Sequence, residues 1–259
     1  MIERPNYLEE LISFKEKDLI KIVTGIRRCG KSTLFDLYIE YLINNGINEN
    51  QIIRINLEEY EFDDIVDYKD LFEYVNLKLL VDKMNYVFID EVQKVKDFQI
   101  ACDSLYIKKN VDLYITGSNS KLLSGELATL LSGRYVEIKM LPLSFKEYIS
   151  YVGDNDIAKK YVDYITKSSF PYTLMLDTPK EIRMYLDGLY NTVIVNDIAE
   201  RKEISDIGML KDVIKFMFDN VGNLCSSTSI ANTMTSNGRK ISVPTVEKYL
   251  EALVEAFIL

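Results

Sequence analysis

The segment Gly25-Ile-Arg-Arg-Cys-Gly-Lys-Ser32 constrains the fold of this chain more than any other. Its spacing, G-x-x-x-x-G-K-S, falls between an apolar run at 19–24 and a helical pattern that begins at Lys31. Glycines at both ends let backbone N–H groups turn inward around a phosphate, and the helix that follows adds its positive end. Strand, loop and helix must then follow in that order. In this reading Lys31 reaches the β- and γ-phosphates of a nucleotide, and the Ser32 hydroxyl is a ligand for magnesium. Gly25, Ile26, Arg27, Arg28, Cys29, Gly30, Lys31, Ser32 and Thr33 form the cradle.

Four further apolar runs fit strands: 52–57 (IIRINL), 86–89 (YVFI), 111–116 (VDLYIT) and 135–140 (YVEIKM). Their β-branched and aromatic content suits a sheet covered on both faces. Between the first two strands, KSTLFDLYIEYLINNG reads as an amphipathic helix stopped by Gly46. Alternation of this kind predicts an α/β fold with a parallel sheet and right-handed crossovers.

The run YVFIDEVQ puts Asp90 and Glu91 at the carboxyl end of a buried strand, where open α/β sheets bind ligands. An Asp there can hold magnesium, and a Glu beside it can deprotonate the water that attacks a γ-phosphate. Two acids opening a solvated loop is the plainer reading, but it suits LEEYEFDD at 57–64 better, since four apolar residues precede Asp90 directly. After the fourth strand, Gly117-Ser118-Asn119-Ser120 offers polar groups to sense that phosphate. Arg134, just before the fifth strand, is either a finger for a neighbouring subunit's nucleotide or a surface salt-bridge partner. Cys29 is either a thiol activated by the helix end and Lys31 or a tolerated loop residue.

Composition narrows the chemistry. The chain has no histidine, so imidazole catalysis and His-ligated zinc are excluded, and its three cysteines are too dispersed for a disulfide framework. A net charge of −9 argues against a strong nucleic-acid binder. No apolar run is long enough to span a bilayer, and acids stand where a secretory signal needs bases, so a soluble, cytoplasmic protein without membrane contact is expected.

After Pro142 the pattern turns helical, with Thr178-Pro-Lys-Glu181 as a capped helix start. Residues 226–259 read as helix–turn–helix, SSTSIANTMTS and then 243–259 entered through Pro244. The chain stops at EALVEAFIL, an apolar helix end, which we take as the mark of a fragment.

With these motifs placed, the chain resembles the AAA+ superfamily. More narrowly, it is similar to prokaryotic ATPases that pair an archaeal-ATPase-like AAA domain with a C-terminal DUF4143 domain. IVTGIRRCGKSTL, YVFIDEVQ and LYITGSNSKLLSGELATLLSGRYVEIKMLPLSFKEY carry the match, and SIANTM and SVPTVEKYLEALVEAFIL resemble the start of the second domain. One departure is Ser168-Ser-Phe-Pro171, where the family keeps Gly-Gly-x-Pro.

The resemblance implies a three-layer P-loop NTPase sandwich with strand order 5-1-4-3-2, then a helical region and a winged-helix-like segment. It assigns 1–143 to the ATP-binding core, 144–220 to a helical lid or linker, and 221–259 to a truncated DUF4143 start. It also implies ATP and magnesium, a sensor at Gly117-Ser118-Asn119, and Asn56 as the polar residue restraining Glu91. The expected activity is magnesium-dependent ATP hydrolysis driving a switch passed to the C-terminal module, with Lys31, Glu91, Ser118, Asn119 and Arg134 catalytic and Ser32 and Asp90 on the metal.

Three alternatives stay open. They are a slow signalling NTPase, a small-molecule phosphotransferase, and, for the C-terminal helices, either DNA or protein as partner. A homo-oligomer is open too. Glu247, Glu251 and Glu255 form an acidic stripe on the last helix that Arg239, Lys240 and Lys248 would have to offset for DNA to bind.

Overall fold

The computed structural model describes residues 2–118, 131, 133–153, 155–200 and 202–259, apart from the Asn196 side chain. Five strands form one sheet: β1 (Ile20–Thr24), β2 (Ile52–Asn56), β3 (Asn85–Asp90), β4 (Val111–Gly117) and β5 (Tyr135–Lys139). They lie in the order β2-β3-β4-β1-β5, all parallel. This is the expected P-loop NTPase sheet read from its other edge.

Both faces of the sheet are covered, because side chains alternate along each strand. From β3, Val87 and Ile89 join Ile20, Ile22, Ile55 and Ile115 in one core. That core packs against α3 (Tyr68–Lys78) and α4 (Phe98–Tyr106) through Leu71, Val75, Ala101 and Leu105. Tyr86 and Phe88 face the other way, with Val23, Tyr114 and Ile138. Against them lie α1 (Pro5–Ser13) and α2 (Lys31–Asn44), contributing Leu11, Leu34, Phe35 and Tyr38. Phe88 stacks on Tyr114 at 4.8 Å between centroids, a contact worth about 1 kcal/mol beyond its buried area. Tyr38, Tyr86 and Tyr114 are thus packing residues of this core. Helix α1, opened by Pro5 at its first turn, has no counterpart among the sequence expectations.

The chain divides into two compact units, Met1–Pro179 and Lys180–Leu259. In the first, β5 leads through Met140 to α5 (Phe145–Val152), headed by a capping box of Ser144 and Glu147, and then to α6 (Ile157–Lys167). The Ser168-Ser-Phe-Pro171 segment returns toward the sheet, with the Leu143 N–H donating to the Ser169 carbonyl at 2.8 Å. Ser168 sits at φ +139°, a conformation glycine takes freely, which accounts for the glycine usual in the family.

The second unit is helical: the rest of α7 (Pro179–Thr192), a π-helix (Val193–Glu200), α8 (Ile207–Asp219), α9 (Ser227–Ser236) and α10 (Val243–Glu255). Ser226 caps α9, and Ser242 with Pro244 opens α10, so the helix–turn–helix forms where the capping signals predict it. The wing does not: among the described residues this unit contains no strand. Among the described residues, no helix is long and apolar enough to cross a membrane.

Candidate functional site

The ends of β1, β3 and β4 bring three separated segments together. From Thr24 the chain enters the loop at Gly25 (φ +153°), where a Cβ would lie 2.1 Å from the Met140 carbonyl oxygen. The first glycine is thus required by the exit of β5 as well as by the phosphate turn. Gly30, at φ +105°, ends the loop and starts α2, whose first N–H groups have no intrahelical acceptor. The Lys31 ammonium is buried and donates to the carbonyls of Gly25 (3.0 Å) and Ile26 (3.3 Å). Ser32 and Arg28 are exposed, while Cys29 is fully buried.

The second segment is the strand end. Asp90 and Glu91 are both buried. Asp90 accepts hydrogen bonds from the hydroxyls of Ser32 and Thr116. Burial holds its carboxyl above the usual range; those two bonds and Lys31 oppose the shift, and the Glu91 charge reinforces it. Glu91 adopts a left-handed conformation, φ +53°, fixed by its N–H donating to Thr116 Oγ1 at 3.0 Å. Positive φ at a buried glutamate stores strain of the kind found at functional positions. Its carboxylate lies 3.6 Å from the Lys31 ammonium. Burial pushes that carboxyl up, but Lys31, Gln93, Ser118 and Arg27 together outweigh it and draw it below its ordinary range.

Ser118, from the third segment, is buried just after β4 and hydrogen-bonds Glu91. Asn119 lies outside the described residues. Asn56 does not restrain Glu91: its amide donates to Glu59 at 2.7 Å, and its oxygen accepts from the Glu58 N–H. The amide that does hold the carboxylate is Gln93, which donates to Glu91 Oε2 at 2.5 Å and stands 3.4 Å from Ser118 Oγ. Sequence reading passed over it, although its place two residues after an Asp-Glu pair was the available signal. The left-handed turn at Glu91 folds the chain back, which no periodicity encodes.

Arg134 is not brought to this site. It precedes β5 at the amino end of the sheet, where it pairs with Asp103 (2.5 Å) and lies over the Tyr106 ring. Cys29 is no activated thiol: burial pushes it up, against the pull of Lys31 and Arg4.

Arg4 is a residue the sequence reading missed. Only 3% exposed, it donates to the Cys29 carbonyl in the loop (3.0 Å), to the Leu141 carbonyl (2.7 Å) and to Glu147 (2.6 Å). One side chain thus ties the loop to the exit of β5 and to α5.

Residues 17–149 match the family described as an AAA domain, and residues 158–259 match a domain of unknown function (DUF8612). The second match replaces the expected DUF4143 start, because a helix–turn–helix pattern is too widely shared to separate two families. The chain is 42% identical over its whole length to an uncharacterized protein of Haemophilus influenzae, covering 66% of it. An uncharacterized protein of Methanocaldococcus jannaschii is 30% identical over 93% of the chain and 55% of that protein. The chain thus spans between half and two thirds of these relatives. The Walker-type ATPase of Pyrococcus abyssi shares the fold, with a TM-score of 0.63 at 17% identity over 98% of this chain and 89% of that one.

Proposed function

The chain belongs to the AAA-domain family, and from that premise we propose that it binds ATP with magnesium at residues 25–33 and hydrolyses it with Glu91 as general base. The observation that carries this reading is the meeting of Lys31 with Glu91 at 3.6 Å, beside the Ser32–Asp90 hydrogen bond. A phosphate-binding cation, a base and two oxygen donors for a metal thereby share one strand edge.

Lys31 holds the loop closed on its own carbonyls and exchanges them for phosphate oxygens when nucleotide enters. Glu91 is kept ionised, as a base must be, and Gln93 and Ser118 aim its carboxylate. Ser118 is the polar group at the sensor position. Ser32 and Asp90 fit magnesium, since a hydroxyl and a carboxylate in contact are hard oxygen donors. Among the described residues no group of three or more Cys, Asp or Glu could hold a metal, so the remaining positions fall to water and substrate phosphate. The bound ion would neutralise charge on the phosphates.

Steady-state ATP hydrolysis by the wild type and by Glu91→Gln tests the reading, alongside ATP binding by both. The variant should bind ATP and lose turnover by about two orders of magnitude. Equal rates would leave a nucleotide-binding, signalling protein; absence of ATP binding to the wild type would overturn the proposal altogether.

For the second unit we favour a protein partner over DNA. On α10, Glu251 and Glu255 recruit Lys202 (3.7 and 2.9 Å), while Arg239 is engaged by Asp206 (3.2 Å) and Asp212 (3.0 Å). Of the cations available to offset the acidic stripe, one is therefore already committed within the unit.

A further inference from the structure

Arg27 and Glu58 form an ion pair that crosses the site. Arg27 follows β1 and Glu58 follows β2, and in the sheet these strands are separated by β4 and β3. At about 4.8 Å per strand, roughly 14 Å divides β1 from β2, yet Arg27 Nη1 reaches Glu58 Oε1 at 3.1 Å. The pair consequently arches over the carboxyl ends of β3 and β4, the positions of Asp90, Glu91 and Ser118. Glu58 is held at that height: its N–H donates to Asn56 Oδ1 (3.1 Å), and the adjacent Leu57 N–H donates to the Asp90 carbonyl (3.3 Å). Arg27 is also one of the positive charges felt by Glu91.

Two properties make this pair exchangeable. Its side chains are 23% and 42% exposed, so water competes with it and its net strength is small. A terminal phosphate offers a guanidinium more negative charge and a bidentate partner, which a half-exposed carboxylate does not match. The bland reading, a surface ion pair that merely trims the loop, predicts no dependence on which nucleotide is bound.

Resting on the proposed nucleotide site, we propose that Arg27 distinguishes triphosphate from diphosphate by leaving Glu58 for the terminal phosphate, so that release of Glu58 reports ATP occupancy to the segment after β2. The segment freed is 58–62, which leads through a 3-10 turn, Tyr60–Phe62, with Tyr60 almost fully exposed.

The test compares affinities of the full chain for ADP and for a non-hydrolysable ATP analogue, with magnesium, in wild type, Arg27→Ala, Arg27→Lys and Glu58→Gln. Arg27→Ala should weaken the triphosphate by about tenfold or more beyond any loss of ADP affinity. Arg27→Lys should recover part of the loss. Glu58→Gln, which removes this carboxylate's charge without touching the loop, should tighten the triphosphate several-fold and leave ADP alone. Equal losses for both nucleotides in Arg27→Ala, or an unchanged triphosphate affinity in Glu58→Gln, would overturn the exchange. Should Arg27→Ala lose its folded circular dichroism, the Glu58→Gln comparison decides. Failure of the wild type to bind either nucleotide would instead bring down the nucleotide site itself, and this inference with it.

Discussion

Arg4 and Glu147, 143 positions apart in sequence, meet at 2.6 Å in a buried ion pair directly behind the phosphate loop. The same guanidinium holds the Cys29 carbonyl, and Glu147 also accepts from the Ser144 N–H that heads α5. The loop is therefore braced from outside the βαβ unit that contains it. Removing one member of a buried pair strands the other charge, at a cost of about 3–5 kcal/mol. Arg4→Met should destabilise the first unit by that order and weaken ATP binding as well. Denaturant unfolding and nucleotide titration of Arg4→Met, Glu147→Gln and the double variant would show it; additive losses would mean that the pair is not coupled.

With Glu91 as the proposed base, Gln93 should act on turnover through it. In Gln93→Ala the carboxylate loses its 2.5 Å donor but keeps Lys31 at 3.6 Å, so nucleotide affinity should hold while aim is lost. We expect kcat to fall about tenfold with KM unchanged, in line with the sensitivity of catalysis to small misplacements. Gln93→Glu would add repulsion beside Glu91 and should be worse. A rise in KM at constant kcat would assign Gln93 to binding instead.

The acidic face of α10 makes a prediction about partners. Lys202 is drawn to Glu251 and Glu255 and Arg239 to Asp206 and Asp212, so these two cations already answer acids of their own unit. Duplex DNA should therefore give no anisotropy change at physiological salt, whether or not ATP is present. Binding with a steep salt dependence would refute the preference for a protein partner.

Alkaline stability follows from the buried network at the amino end of the sheet. Tyr38 and Tyr114 hydroxyls are 2.9 Å apart, Tyr114 donates to Asp112 at 2.7 Å, and Lys21 donates to Asp112 at 2.5 Å. Burial, above all, holds both tyrosines well above the usual phenol range. The unfolded chain then ionises first, near pH 10, and stability falls as pH rises past that value, by about 1.4 kcal/mol per pH unit per tyrosine. Lys21 runs the other way: burial lowers it against the pull of Asp112, so the unfolded chain keeps its proton longer and stability rises below pH 10.5. Two tyrosines outweigh one lysine, and beyond pH 10.5 only the loss continues. Unfolding free energies between pH 10 and 11 should decline, and Tyr114→Phe should flatten the decline by up to one proton's worth.

Much of this protein is determined by short stretches of its sequence. The loop glycines, the helix at Lys31, the alternating apolar strands and the Asp90-Glu91 strand end are each set by neighbours within a few residues, through steric limits, capping and side-chain periodicity. That is why the five strands and both helices of the helix–turn–helix are legible in the sequence. The family resemblance supplied the strand order, which local pattern does not contain.

What only the tertiary structure decided depends on contacts between distant segments. Nothing local to Arg4 marks it, yet it is buried against Cys29, Leu141 and Glu147. Lys21 stands inside the apolar run of β1, and Asp112 neutralises it in the core. The choice of Gln93 over Asn56 as the partner of Glu91 was set by a left-handed turn at Glu91 itself. In each case a polar side chain becomes legible only once its partner is known. Burying a charge or an amide is favourable only when the matching group is in place, and the fold, not the neighbouring residues, supplies that group.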